Sequence, residues 1–135
     1  MRQLLRYGLL ALLAAPAFAE GLTVTAVMSQ AAAAVGTRGH ANMIVSVVGL
    51  NNGNPVTTLV KTDFFVSDQM SLPGQTCGFS NEVATFANIG NGIYQFTLTL
   101  PDLGQCGWVK GTYLAGIQVS ASAGHGLTVS KLVIE

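Results

Sequence analysis

Alternation of large apolar and polar side chains over residues 91–100 constrains the fold of this chain more than any other feature. Asn91-Gly92 is a turn-forming pair that opens the segment. The residues after it place four large apolar side chains on one face, namely Tyr94, Phe96, Leu98 and Leu100. The positions between them carry Gln95, Thr97 and Thr99. A repeat of two rather than 3.6 predicts a half-buried β-strand.

Further segments show the same strand character, with clusters of turn-forming residues between them. They are residues 22–28, 42–50, 56–59 leading into 63–67, 82–89, 112–121 and 127–134. Residues 29–41 are expected to form a loop, and Gly124-His125-Gly126 a tight connection. About seven strands, with no long amphipathic helix, predict an all-β antiparallel sandwich.

The first 19 residues have the pattern of a secretory signal peptide. Arg2 and Arg6 precede an apolar block at residues 9–15, and Ala17-Phe18-Ala19 supplies small residues at a cleavage site before Glu20. The apolar block is too short to cross a bilayer. We therefore expect residues 20–135 to be one domain without a membrane span, located in the periplasm or outside the cell.

Charge and cysteine content indicate which ligands and cross-links are expected for that domain. Residues 20–135 contain four basic and six acidic residues, a formal charge of −2, and offer no basic patch for nucleic acid. The two cysteines, Cys77 and Cys106, are expected to form a disulfide, as an even count in an exported chain favours. Neither His40 nor His125 has a spacing to the cysteines that would favour a zinc site.

Two short motifs indicate a resemblance to known domains. One is Gly92-Ile93-Tyr94-Gln95-Phe96, and the other is Gly53-Asn54-Pro55-Val56, followed by Leu59, Asp63-Phe64 and Val66. The first resembles the turn and strand of a tyrosine corner, with Phe96 where antibody domains have a cysteine. The second resembles the region between the second and third strands of secreted bacterial immunoglobulin-like domains, including invasin-type and macroglobulin-like modules. The resemblance covers most of residues 42–134. It implies adhesion, stalk or ligand-binding roles without catalytic residues or cofactors, although such modules usually occur in tandem and this chain has one copy.

Candidate catalytic and metal-binding groups are few. His40 and His125 each lie beside glycine in a predicted loop, with no nucleophile placed next to them by the sequence, so we expect no enzyme activity. Asp63 and Asp68 flank one strand but show no calcium-loop pattern, and we expect them to cap turns. Lys61, Lys110 and Lys131 are spread along the chain and are expected to lie in solvent.

Trp108 allows two interpretations. Its indole either covers the core beside Cys106, or lies exposed and, with Phe79, offers contact area to a protein or glycan partner on loops joined by the disulfide. Tyr94 is expected to be buried and to donate its hydroxyl to a backbone carbonyl at the corner between the 82–89 strand and the next. Three functions follow: a binding module, a structural subunit that assembles through strand edges, or an accessory domain of an enzyme.

Overall fold

The computed structural model describes residues 21–31, 33, 35–69, 83–98 and 107–135, and these form seven β-strands and one short 3₁₀ helix at Lys61–Asp63. The strands follow in chain order: β1 (Leu22–Ser29), β2 (Ala41–Gly49), β3 (Phe64–Gln69), β4 (Val83–Gly90), β5 (Ile93–Leu98), β6 (Gly111–Ala121) and β7 (Gly124–Ile134). The described part of the chain contains no helix with the length and apolarity that a bilayer crossing requires.

The strands form two antiparallel sheets. One sheet has the order β1-β2-β5-β4 and the other the order β3-β6-β7. With the strands lettered A to G in chain order, these sheets are ABED and CFG, the arrangement of constant-type immunoglobulin domains. The predicted all-β, immunoglobulin-like sandwich of about seven strands is confirmed.

The period-2 pattern points the apolar positions of both sheets into one core. Tyr94, Phe96 and Leu98 of β5 are fully buried, as predicted, while Gln95 and Thr97 face outward. Phe64 of the three-stranded sheet packs against these rings, with centroids 4.8 Å from Phe96 and 5.1 Å from Tyr94. An aromatic cluster therefore joins the two sheets beside β3.

Two segments have a different structure from the one that the sequence predicts. Residues 56–59 are not a strand: they cross from one sheet to the other, and a strand ladder within one sheet cannot form during that crossing. Gly124-His125-Gly126 is not the connection before the last strand, because β7 already begins at Gly124 and pairs with Ala121 there. The turn lies instead at residues 122–123.

Among the described residues, the side of the sandwich between β1 and β7 is closed and the side between β3 and β4 is open. On the closed side, Gly21 forms a parallel bridge with His125. A Cβ atom at Gly126 would lie 2.6 Å from Val24 Cγ2, so glycine is needed for this close approach of β7 to β1. On the open side, no ladder joins β3 and β4 within the described residues.

The two ends of the sandwich carry different connections. We call the upper end the one with residues 50–63 and the β6–β7 turn, and the lower end the one with residues 30–40 and 107–110. Antiparallel pairing places the start of β1 and the end of β2 at the upper end, since Leu22 pairs with Gly49. The predicted loop at residues 29–41 is confirmed for its described part between β1 and β2.

Candidate functional site

Tyr94 fixes residues 56–59, which we call the crossing segment, at the upper end. Its ring is fully buried, and its hydroxyl donates to Val56 O at 2.6 Å and accepts from Leu59 N–H at 3.2 Å. Burial raises the pKa of the Tyr94 phenol above its ordinary value, because the phenolate would lose its hydration, while the Leu59 N–H acts in the opposite direction. The predicted hydrogen bond to a carbonyl is present, but it holds residues 56–59 rather than the corner between β4 and β5.

The tyrosine corner lies on a different strand from the one predicted. Tyr113 is near the start of β6, the F strand, and its hydroxyl donates to Val109 O at 3.2 Å and accepts from Val109 N–H at 2.9 Å. A tyrosine bonded to backbone a few residues upstream on strand F is the arrangement of immunoglobulin domains. Two residues later, the position of the antibody cysteine is occupied by buried Ala115 and not by Phe96.

Trp108 belongs to the core, which agrees with the first of its two interpretations and not with an exposed binding residue. Its side chain is fully buried and its Nε1 donates to Gly39 O at 2.6 Å. Its backbone donates to Thr37 O and accepts from Gly36 N–H, and its ring meets Tyr113 edge to face at 5.0 Å. An indole without accessible surface offers no contact area to a ligand.

Phe79, Cys77 and Cys106 lie outside the described residues, as does the predicted signal peptide. The strands beside the cysteines are described, and all of them meet at the lower end. β3 ends where β6 begins, with Gln69 opposite Leu114, and β5 ends where β4 begins, with Leu98 opposite Val83. The disulfide stays a prediction, and this placement of the flanking strands favours it.

The titratable residues form separate surface groups. His125 Nδ1 lies 3.0 Å from Ser120 Oγ across the β6–β7 hairpin, and His40 is exposed between β1 and β2. Asp63 Oδ2 accepts from Val60 N–H at 2.8 Å and closes the 3₁₀ turn, as predicted. Lys61, Lys110 and Lys131 are exposed, and no three potential metal ligands cluster among the described residues.

A groove at the upper end is a concave site built from these connections. Its volume is about 370 Å³, within the range of small-ligand sites. It lies where the start of β1, the crossing segment and the β6–β7 turn meet. Polar neutral side chains and apolar ones share its lining, which includes Asn52, Asn54, Thr57, Thr58, Leu22 and Pro55. We call it the upper groove.

The loop that forms one wall of the upper groove is ordered by its own hydrogen bonds. Gly49 N–H donates to Asn54 O at 2.9 Å, and Gly53 N–H donates to Gly49 O at 2.9 Å. Asn54 N–H donates to Asn52 Oδ1 at 2.8 Å. Since this wall is already in place, a ligand binding there would lose little free energy to loop ordering.

Three polar side chains of the upper groove are available to a ligand. Asn54, Thr57 and Thr58 are exposed, and within the described residues their side-chain polar atoms make no hydrogen bond. The backbone groups beside them are already hydrogen-bonded, because Asn88 Nδ2 donates to Thr57 O and the Tyr94 hydroxyl bonds to Val56 O and Leu59 N–H. Together, the side chains of Asn54, Thr57 and Thr58 supply one uncharged amide and two hydroxyl groups. The sequence predicts a strand at residues 56–59 and indicates no binding role for Asn54, Thr57 or Thr58.

A second surface is the outer side of the three-stranded sheet, which we call the apolar face. Its most exposed apolar side chains are Leu127 (70%), Val129 (61%), Phe65 (51%) and Val133 (43%). They belong to rows that run across the sheet, since Gln118 pairs with both Phe65 and Leu127, and Gly116 with both Ser67 and Val129. Sequence periodicity could not show that three strands align these residues on one face.

Comparison with known proteins found no match to the chain among protein-family models, curated proteins or solved structures.

Proposed function

We propose that this chain is an exported, non-catalytic, immunoglobulin-like recognition module that binds a glycan through the upper groove. The observation that carries the proposal is the set of three neutral side chains, Asn54, Thr57 and Thr58, which make no hydrogen bond to other described residues and lie along one preformed groove. Export is supported by the signal-like residues 1–19. The strand order supports a place among secreted bacterial immunoglobulin-like modules.

The chemistry of the groove matches a neutral, hydroxyl-rich ligand. Asn and Thr side chains both donate and accept, as sugar hydroxyls do, while Leu22 and Pro55 can contact the C–H faces of a sugar ring. A charged ligand would need a compensating charge, and none of the groove-lining residues carries one. A protein partner at the same connections is the competing interpretation.

A glycan array with the purified exported protein tests the proposal. We expect binding to one group of neutral glycans, reduced at least ten-fold in the Asn54→Ala/Thr58→Ala variant. The matched control is Thr23→Ala/Thr25→Ala, which removes two exposed hydroxyls from the outer side of β1. Binding that survives the groove variant, or that the control also removes, would contradict the proposal. Binding to proteins alone would favour the competing interpretation.

A second candidate is a structural subunit that assembles by pairing strand edges. β4 favours it, because this edge strand on the open side has eight residues and neither charge nor proline. Register shifts between Val83 and Thr85, and between Asn88 and Gly90, act against long pairing. Edge assembly would appear as concentration-dependent oligomers that Ala87→Lys dissociates, and oligomers unaffected by this variant would exclude it.

A further inference from the structure

The apolar face carries large apolar side chains at several outward positions, beside polar ones such as Gln118, Ser120 and Lys131. Antiparallel sheets with one solvated side usually carry polar residues at the outward positions. On β7 three of those positions hold Leu127, Val129 and Val133, and the neighbouring β3 contributes Phe65. Apolar clusters of this kind on a folded surface usually mark an interaction site.

The face is also nearly free of charge. β6 and β7 contain a single lysine, Lys131, and no arginine or carboxylate. Lys131 lies on a strand at the edge of its sheet, where its apolar stem can pack while the ammonium remains in water. A partner chosen by charge complementarity would find almost nothing to recognise here. Two copies of this face, in contrast, would not repel each other.

The size of the face fits a weak dimer. β6 and β7 pair over eleven residues, which corresponds to a strip about 35 Å long. With the six residues of β3 the sheet covers about 400 Å² in projection, and its corrugated accessible area is on the order of 600 Å². Two such faces would bury on the order of 1,200 Å², at the lower limit of specific interfaces.

We infer that the apolar face, centred on β6 and β7, is a self-association surface that binds the same face of a second copy. A two-fold axis in the plane of contact lets one patch serve both partners. Gly116 in the middle row is covered by Ser67, whose hydroxyl donates to Gly116 O at 3.4 Å, so no large side chain stands between the facing sheets there. None of the residues that line the upper groove lies on this surface, so self-association does not depend on the ligand of the groove.

Sedimentation velocity of the purified protein, from about 1 to 500 µM, tests the inference. We expect a monomer at low concentration and a dimer at high concentration, with dissociation in the micromolar range that small interfaces usually show. Leu127→Lys should raise the dissociation constant at least ten-fold. The matched control is Val27→Lys, because Val27 is also 70% exposed and also lies on an edge strand, but on the other sheet.

The variants distinguish a dimer that forms through the apolar face from a dimer that forms through another surface. Dimerisation lost in Leu127→Lys and in Phe65→Ser, but retained in Val27→Lys, supports the inference. A wild-type protein that stays monomeric throughout, or a dimer that survives Leu127→Lys, overturns it. A dimer dissociated by Ala87→Lys alone also overturns it and favours edge pairing through β4. Circular dichroism of each variant verifies that the fold is intact, and glycan binding by a monomeric variant would leave the proposed function unaffected.

Discussion

At the scale of single residues, Tyr94 shows how one hydroxyl can position a stretch of backbone. It satisfies a carbonyl and an amide of the crossing segment at once, Val56 O and Leu59 N–H. Tyr94→Phe would leave both groups without their partner, and we expect a loss of about 1–3 kcal/mol in the free energy of unfolding. Urea denaturation measures it. Thr85→Val, which removes an exposed hydroxyl pair with Thr97, should change stability by less than about 0.5 kcal/mol.

The raised pKa of Tyr94 makes stability depend on alkaline pH. The phenol in the unfolded chain ionises near its ordinary pKa of about 10, before the buried phenol does. The contribution of the protonated Tyr94 phenol to the free energy of unfolding is therefore complete below about pH 10. It is lost as the pH rises through the raised pKa of the folded state. We expect the difference in unfolding free energy between wild type and Tyr94→Phe to narrow above pH 10. A constant difference between pH 8 and 11 would contradict this.

Trp108 is the one tryptophan of the chain, so fluorescence reports its environment alone. Full burial and the bond from Nε1 to Gly39 O predict a blue-shifted emission that resists soluble quenchers until the protein unfolds. Trp108→Ala should lower the free energy of unfolding by about 3–5 kcal/mol, as for other large core truncations. A red-shifted, readily quenched emission in the folded protein would show that the indole is exposed.

At the scale of elements, the Asn91-Gly92 turn joins β4 to β5 with both residues at positive φ, 51° and 72°. A Cβ atom at Gly92 would also lie 2.5 Å from Val47 O. Gly53 has a similar φ of 66° but open space around it, which makes it a matched control. Both alanine variants should lose about 1–2 kcal/mol from the left-handed conformation, and Gly92→Ala should lose at least about 1 kcal/mol more. Equal losses in thermal or urea unfolding would contradict this difference.

β5 was predictable because it has a period of two, a local property of the sequence. Its buried face matched the predicted one for this reason. The tyrosine corner was misplaced because Tyr94 and Tyr113 occupy equivalent inward positions on different strands. Only the sheet order shows which strand is F. The upper groove and the apolar face were not predictable, since they depend on which connections and rows become neighbours in space.

At the scale of the whole molecule, the predicted disulfide would join two connections at the lower end, between β3 and β4 and between β5 and β6. The bond would close a loop of about 30 residues and stabilise the fold by about 3.6 kcal/mol in the chain-entropy model, less any strain. Thiol titration of denatured, non-reduced protein should find no free thiol. Two free thiols in oxidatively folded protein would rule out the bond between Cys77 and Cys106.

The contact between the first and last strands has a kinetic consequence. Gly21 and His125, which bridge β1 to β7, are more than a hundred positions apart, so this contact requires closure of nearly the entire domain. Pairings between such distant segments slow folding, and all-β domains commonly fold in milliseconds to seconds. A chain that emerges with its N-terminal part first can pair β1 with β2 early. The other edge of β1 then stays uncovered until β7 arrives, and during that interval the nascent chain is most prone to aggregation.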